Sequence, residues 1–464
     1  MAVRLPSTHP ADAPLRVLAP ARTLPASSVL AAALPLLFLH VDYQPGFHVH
    51  AGPASAHVVL SDLAVLAVAL SALAAGLRHG FAPLRAGTLV WAAGAVFLAD
   101  VAAGSVYPRL WTADYAVGTH AVTAGKFAEY GLLALSVPLL VRARRDLALL
   151  LGVLAAWSVA ATVVGLAQIF GADICEAWPA GRRQPSFLGH HDFASLSGAA
   201  LGAALVALAL RPVWRPPAAP LAVAGLSGAA GLVLSGSSAG AIGLAAGAGA
   251  LVLAARLRGW VDLRRAAAVA GVVGVVLGGV FVMRAGEINQ FLRFVGLEKA
   301  KAEKKAVQSY VQRTLLAYIG WRIFEDNPIG GAGWQASSEL ATYGPYLPAA
   351  RREFPSAPAQ AFPSPAHPWG VQNAYVQALS DLGAVGLLTL LGLLASGLVV
   401  AGRAALRAPP DRAVPALGAL VALLVAMGIL SALGLVAGIP LDALLWLSLG
   451  LAVHAAGRTQ RGLA

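Results

Sequence analysis

The chain has a single cysteine, Cys175, in 464 residues. No internal disulfide can form, and one thiol without a paired histidine cluster argues against a zinc site. Charge is scarce as well: Asp, Glu, Lys and Arg make up 12% of the residues, 58% are hydrophobic and the mean hydropathy is +0.73. A soluble domain of this length cannot hide so much apolar surface. The apolar runs are continuous rather than alternating, and lipid admits only helices or closed barrels, so the sequence reads as an all-α polytopic membrane protein. The first 24 residues hold no apolar core ahead of a small-residue cleavage site, and the first span is expected to act as an uncleaved anchor.

Windows of about 18 or more uncharged residues suffice to cross roughly 30 Å of hydrocarbon. They predict about twelve spans: 25–41, 57–77, 86–104, 124–141, 146–170, 193–210, 218–235, 239–255, 266–283, 373–402, 413–433 and 440–457. Arginine placement orients them. Arg78, Arg85, Arg142, Arg144, Arg145, Arg256, Arg258, Arg264, Arg265, Arg403, Arg407, Arg412 and Arg458 fall on one set of loops, together with Arg4, Arg16, Arg22, Arg211, Arg215 and Arg461. By the positive-inside rule these loops and both termini are cytoplasmic. The net charge of +12 is thereby a topology signal, and a nucleic-acid partner is not indicated.

The chain divides into a transmembrane bundle over 1–283 (about nine spans), a large outer loop over 284–372 and a second bundle over 373–464 (about three spans). In the outer loop, Glu298 to Lys305 is a charged, solvated run. Val311 to Phe324 repeats apolar residues at helical spacing and stops at Asn327-Pro328, before Gly330, Gly331 and Gly333. Proline crowds Pro345 to Pro368, which suggests an extended lid.

Four elements stand in order. Arg183-Gln-Pro-Ser-Phe-Leu-Gly-His-His191 runs into Asp192 and a span; Leu234-Ser-Gly-Ser-Ser-Ala-Gly240 turns between two spans. Arg313 begins a helix that ends in Asn327-Pro-Ile-Gly-Gly-Ala-Gly333. Gln372-Asn373 is followed by nine residues, Gly383, two residues and Gly386. In this order, over about residues 146 to 457, the chain resembles the O-antigen ligase and O-antigen polymerase superfamily, the polytopic enzymes that share the Wzy C-terminal domain. Two positions depart from that pattern: Ser238 stands where the family turn often has arginine, and Gln372 where ligases carry histidine.

The resemblance implies a glycan donor on undecaprenyl diphosphate, in a bacterial cytoplasmic membrane. It implies inverting transfer to an acceptor hydroxyl at the outer face, and no cofactor. Lipid, protein or another lipid-linked glycan would serve as acceptor. The leaving diphosphate must be neutralised by fixed cations unless a metal does it. The outer loops have no Asp-x-Asp, and Glu325-Asp326 reads as a solvated pair, so metal-independent chemistry is expected. Guanidinium groups bind phosphate bidentately. The candidates are Arg183 and Arg313, then Arg182 and Arg322; Arg322 follows Arg313 by nine positions, which puts the two on opposite faces of one helix.

Glutamine at 372 cannot accept a proton near neutral pH. His367, five residues upstream, is the expected substitute base alongside Gln372 and Asn373, unless it is only a loop histidine. His190 and His191 are second candidates, with Asp192 able to orient one of them. Tyr343, Tyr346, Trp334 and Trp369 could stack on sugars or anchor at the interface. A lipid-linked-glycan transporter or a non-catalytic binding protein are the readings from other classes. Asp62, Asp100, Lys126 and Glu129 lie near span ends rather than mid-membrane, which favours surface catalysis over transport.

Overall fold

A computed structural model describes residues 26–51, 54–112, 115–210, 218–294, 309–436 and 438–460. Arg4, Arg16, Arg22, Arg211, Arg215, Arg461 and the charged run Glu298 to Lys305 lie outside the described residues. In chain order the helices are α1 Ser27–Leu37, α2 Leu60–His79, α3 Thr88–Gly104, α4 Val117–Glu129, α5 Gly131–Leu140, α6 Arg144–Ile169, α7 His190–Leu210 and α8 Ala218–Ser235. There follow α9 Ser238–Leu257, α10 Leu263–Phe294, α11 Ser309–Asp326, α12 Leu340–Tyr343, α13 Leu347–Glu353, α14 Ala374–Arg407, α15 Pro410–Leu430 and α16 Ile439–Gln460. The only strands among the described residues are an antiparallel hairpin, β1 Gly46–Ala51 and β2 Ala54–Val59, in register His48 with His57.

Ten helices among the described residues are long and apolar enough to cross a membrane, and they coincide with ten of the twelve predicted spans. The other two differ. The expected span 25–41 is a helix of 11 residues with Pro35 inside it, about 16 Å long. It lies along the first half of α6, from Ser27 Oγ on Asp146 (2.9 Å) to Trp157 Nε1 on the Phe38 carbonyl (2.6 Å). The expected span 124–141 is divided between α4 and α5, which meet at Tyr130. His120, Lys126 and Glu129 give α4 its polar side: Lys126 pairs with Asp62 at 3.0 Å.

The arginine-bearing ends gather on one face. Arg142 reaches the Ala75 carbonyl, Arg144 pairs with Asp411, and Gly457 lies against Pro83 and Ala86. Glycines set the closest helix contacts. A Cβ on Gly228 would strike the Ser197 carbonyl of α7 at 2.6 Å, and one on Gly243 the Leu424 carbonyl of α15 at 2.6 Å.

On the opposite face the chain dips back into the bundle. Gly181 N donates to the Ile169 carbonyl at the end of α6. By Ser186 the loop has descended to the Ala161 carbonyl (2.8 Å), two turns lower or about 12 Å. Gln168 holds it there, accepting from Ser186 N and donating to the Ser186 carbonyl. Helix α7 therefore begins about two turns below the end of α6, inside the bundle.

The outer segment after α10 is better packed than proline suggests. Leu315, Leu316, Ile319 and Ile323 of α11 make a small second core with Tyr343, Ala350 and Phe362, so 345–363 is folded onto α11 instead of extended as a lid. The Asn327-to-Gly333 turn clasps α14. Ala332 N and Gly333 N donate to the Ser380 and Asp381 carbonyls, and Ala384 N and Val385 N donate to those of Pro328 and Ile329. The helix is broken at Gly383 (φ 69°, ψ −163°), and any Cβ there would run into the Ile329 carbonyl. The Asp-Leu-Gly-x-x-Gly step is thus a backbone lock that only glycine permits.

Candidate functional site

Five segments converge in the recess: the descending loop, the start of α7, the α8–α9 turn, the last turns of α10 and the start of α11. Arg183 comes from the loop, 6% exposed, with its guanidinium over the Trp178 ring at 4.6 Å. Arg284 of α10 is 1% exposed; it reaches the Gly236 carbonyl (3.2 Å) and lies over the Tyr310 ring at 4.5 Å. Arg313 of α11 donates to Gln372 Oε1 at 3.3 Å and to His191 Nε2 at 2.8 Å.

One carboxylate answers these cations. Glu287 accepts from Arg183 Nε (3.1 Å) and from Arg284, with Arg182 at 3.5 Å. Among the described residues, two buried guanidinium nitrogens, Arg183 Nη1 and Arg284 Nε, have no acceptor. Burial first, then the neighbouring Arg284 charge, pulls Arg183 and Arg313 down from the ordinary arginine value to about 10, which leaves both cationic at neutral pH. Buried, crowded cations with unused donors suit a multivalent anion.

The hydrogen bonds fix the His191 tautomer. Arginine is only a donor, so Nε2 accepts and Nδ1 carries the proton, which it gives to Ser237 Oγ at 3.1 Å. Ser237 also caps α9 by accepting from Gly240 N. His190 packs its ring on Trp178 and His191, and its buried Nε2 has no partner among the described residues. Asp192 orients neither ring: its carboxylate faces Gly438 and the Leu441 backbone.

The structure therefore brings together Arg183, Arg313, His190, His191 and Gln372, with Arg182 at the rim. It does not bring the rest. His367 sits in an exposed turn, paired through its backbone with Ser364 and stacked on Trp369 at 5.7 Å. Asn373 caps α14, accepting from Tyr375 N and Val376 N, and donates to the Ser431 carbonyl. Arg322 is turned away from the cluster and pairs with Glu325, as its nine-residue offset from Arg313 requires. Trp334 and Tyr343 are buried, so they neither stack on sugars nor anchor at an interface.

Arg284, Glu287, Ser237 and Tyr310 were missed by sequence reasoning. A signal existed for the first two: an Arg–Glu pair spaced i, i+3 at the arginine-poor end of a span.

These features define a polytopic membrane protein with a cationic recess at one end of its bundle. Residues 221–391 match the family model described as O-antigen ligase, and over that stretch the chain is similar to the O-antigen ligase and polymerase superfamily. The matched stretch holds Arg284, Glu287, Arg313, Gln372 and both halves of the clasp, while Arg183, His190 and His191 precede it. No curated protein matches the chain.

Proposed function

We propose that this chain is a membrane glycosyltransferase that moves a glycan from an undecaprenyl-diphosphate-linked donor to an acceptor hydroxyl at the arginine-poor, outer face. The observation that carries the reading is the pair of acceptorless buried donors, Arg183 Nη1 and Arg284 Nε, beside Arg313. Four arginines against one glutamate leave a local excess of positive charge matched to a diphosphate.

In the reaction the acceptor oxygen attacks the anomeric carbon from the side opposite the diphosphate, and the carbon–oxygen bond to the diphosphate breaks. Charge grows on the leaving oxygen, where fixed guanidiniums stabilise it without reorganisation. The acceptor proton goes to an imidazole, and His190 is the better placed: its Nε2 is unpartnered, whereas Arg313 occupies that of His191. Ligase and polymerase share this half-reaction and differ in acceptor.

The test is glycan transfer in proteoliposomes with purified lipid-diphosphate glycan, with and without EDTA. Product that persists in EDTA and falls at least about 100-fold in Arg284→Ala and His190→Ala supports the reading. Absence of transfer to lipid, protein and glycan acceptors alike, with donor binding retained, points instead to a transporter or binding protein.

A further inference from the structure

Arg284 is tied on two sides and open on a third. Its Nη1 donates to the Gly236 carbonyl (3.2 Å) and its Nη2 to Glu287 Oε2 (2.5 Å), while the buried Nε has no acceptor among the described residues. Two bonds along one edge leave a planar group free to rock about the line between them, and that motion swings Nε out of place. Tyr310, the second residue of α11, covers the face of the plane: its ring centroid lies 4.5 Å from the guanidinium carbon.

The ring is held in turn. The Tyr310 hydroxyl meets Ser238 Oγ at 3.2 Å, and Ser238 opens α9 two residues after Gly236. One short turn between α8 and α9 therefore anchors both the guanidinium and the ring packed on it. Arg313 follows Tyr310 by three positions, so the two are neighbours on one side of α11. A single turn of that helix carries one anion ligand and the group that packs on another.

Resting on the diphosphate reading of the arginine cluster, we propose that Tyr310 is a positioning residue: its ring, held by Ser238, fixes the Arg284 guanidinium with Nε presented to the diphosphate, and the anion site is complete only while α11 is docked on α10. A cation–π contact gains most where water is excluded, and Arg284 is 1% exposed. The ring acts through its face and the hydroxyl through its bond to Ser238, so substitution separates the two.

The experiment titrates the full chain in lipid nanodiscs with inorganic pyrophosphate by calorimetry at neutral pH, with a melting curve to check that each variant folds. Tyr310→Leu is expected to weaken binding about 5- to 30-fold, the range for a desolvated cation–π contact. Tyr310→Phe keeps the ring and should lose only about two- to fivefold, the worth of one neutral hydrogen bond. Ser238→Ala should match it, and the two together should add nothing, because they break one bond from either end. In an Arg284→Met background, which retains Arg183 and Arg313, Tyr310→Leu should change affinity by less than about twofold, since the group it positions is gone. Equal losses in Tyr310→Phe and Tyr310→Leu, or the same Tyr310→Leu loss with and without Arg284, overturn the positioning role and leave the anion site standing. Wild type that binds no pyrophosphate overturns the diphosphate reading, and the positioning role with it.

Discussion

Gln372 Oε1 accepts a hydrogen bond from Arg313 Nε at 3.3 Å, joining the end of the outer loop to the start of the helix that opens it. Gln372 stands where the sequence resemblance implies a ligase histidine, and its amide holds the Arg313 guanidinium but cannot take up a proton near neutral pH. Gln372→Ala is expected to lower kcat/KM by about 10- to 100-fold, the range for losing a hydrogen bond to a charged group. Gln372→Glu should weaken donor binding further by neutralising Arg313. Steady-state kinetics with both variants checks this; equal activity in all three proteins would sink the positioning role.

Buried Arg284 and half-buried Glu287 form an ion pair at the centre of the arginine cluster. Arg284→Ala removes an anion donor and leaves Glu287 with Arg182 and Arg183 alone. We expect transfer to fall by about two to three orders of magnitude and detergent-solubilised stability to drop by about 3 kcal/mol. The double variant Arg284→Met/Glu287→Met should recover neither stability nor activity, because it also strips the buried Arg183 of its carboxylate, read by thermal unfolding and transfer assays side by side.

Alkaline pH should act through Arg183 and Arg313, both pulled down to about 10. From about pH 10 up to the ordinary arginine value the folded protein holds fewer protons than the unfolded chain, so these groups favour folding more as pH rises through that window. Anion binding has the opposite sign, because it needs the cations. Pyrophosphate affinity should decline as pH passes 10, and binding near that pH should take up protons. Calorimetry in buffers of different ionisation enthalpy measures the uptake.

Gly383 tests the clasp. Gly383→Ala places a Cβ against the Ile329 carbonyl at a φ of 69°. The left-handed backbone alone costs about 1–3 kcal/mol. The expected result is a lowered melting temperature together with loss of transfer, since Gln372 and α11 are held in register through this lock. Ala substitution at Gly392, where a Cβ meets nothing within 4 Å, is the control and should leave both unchanged.

Much of this was legible in the chain. Ten spans, the basic face and α11 follow from apolar run length, arginine placement and helical spacing. The two spans that differ failed for local reasons: Pro35 cuts α1 short, and the polar residues of α4 sit inside a window whose apolar average hides them. The β1–β2 hairpin carries only a short alternating pattern.

The site divides along the same line. Sequence marked Arg183, Arg313, His190, His191 and Gln372 as chemistry-bearing types in a recognisable order, and local spacing alone turned Arg322 away from Arg313. Which of them meet was decided by tertiary structure: the descent of the loop to Ala161, the lock at Gly383 and the convergence of α10 on α11. The physical reason is that a guanidinium's value as an anion ligand depends on its burial and on the charges around it. Those are set by segments as far apart in sequence as Arg183 and Glu287, whereas the membrane reads apolar length one helix at a time.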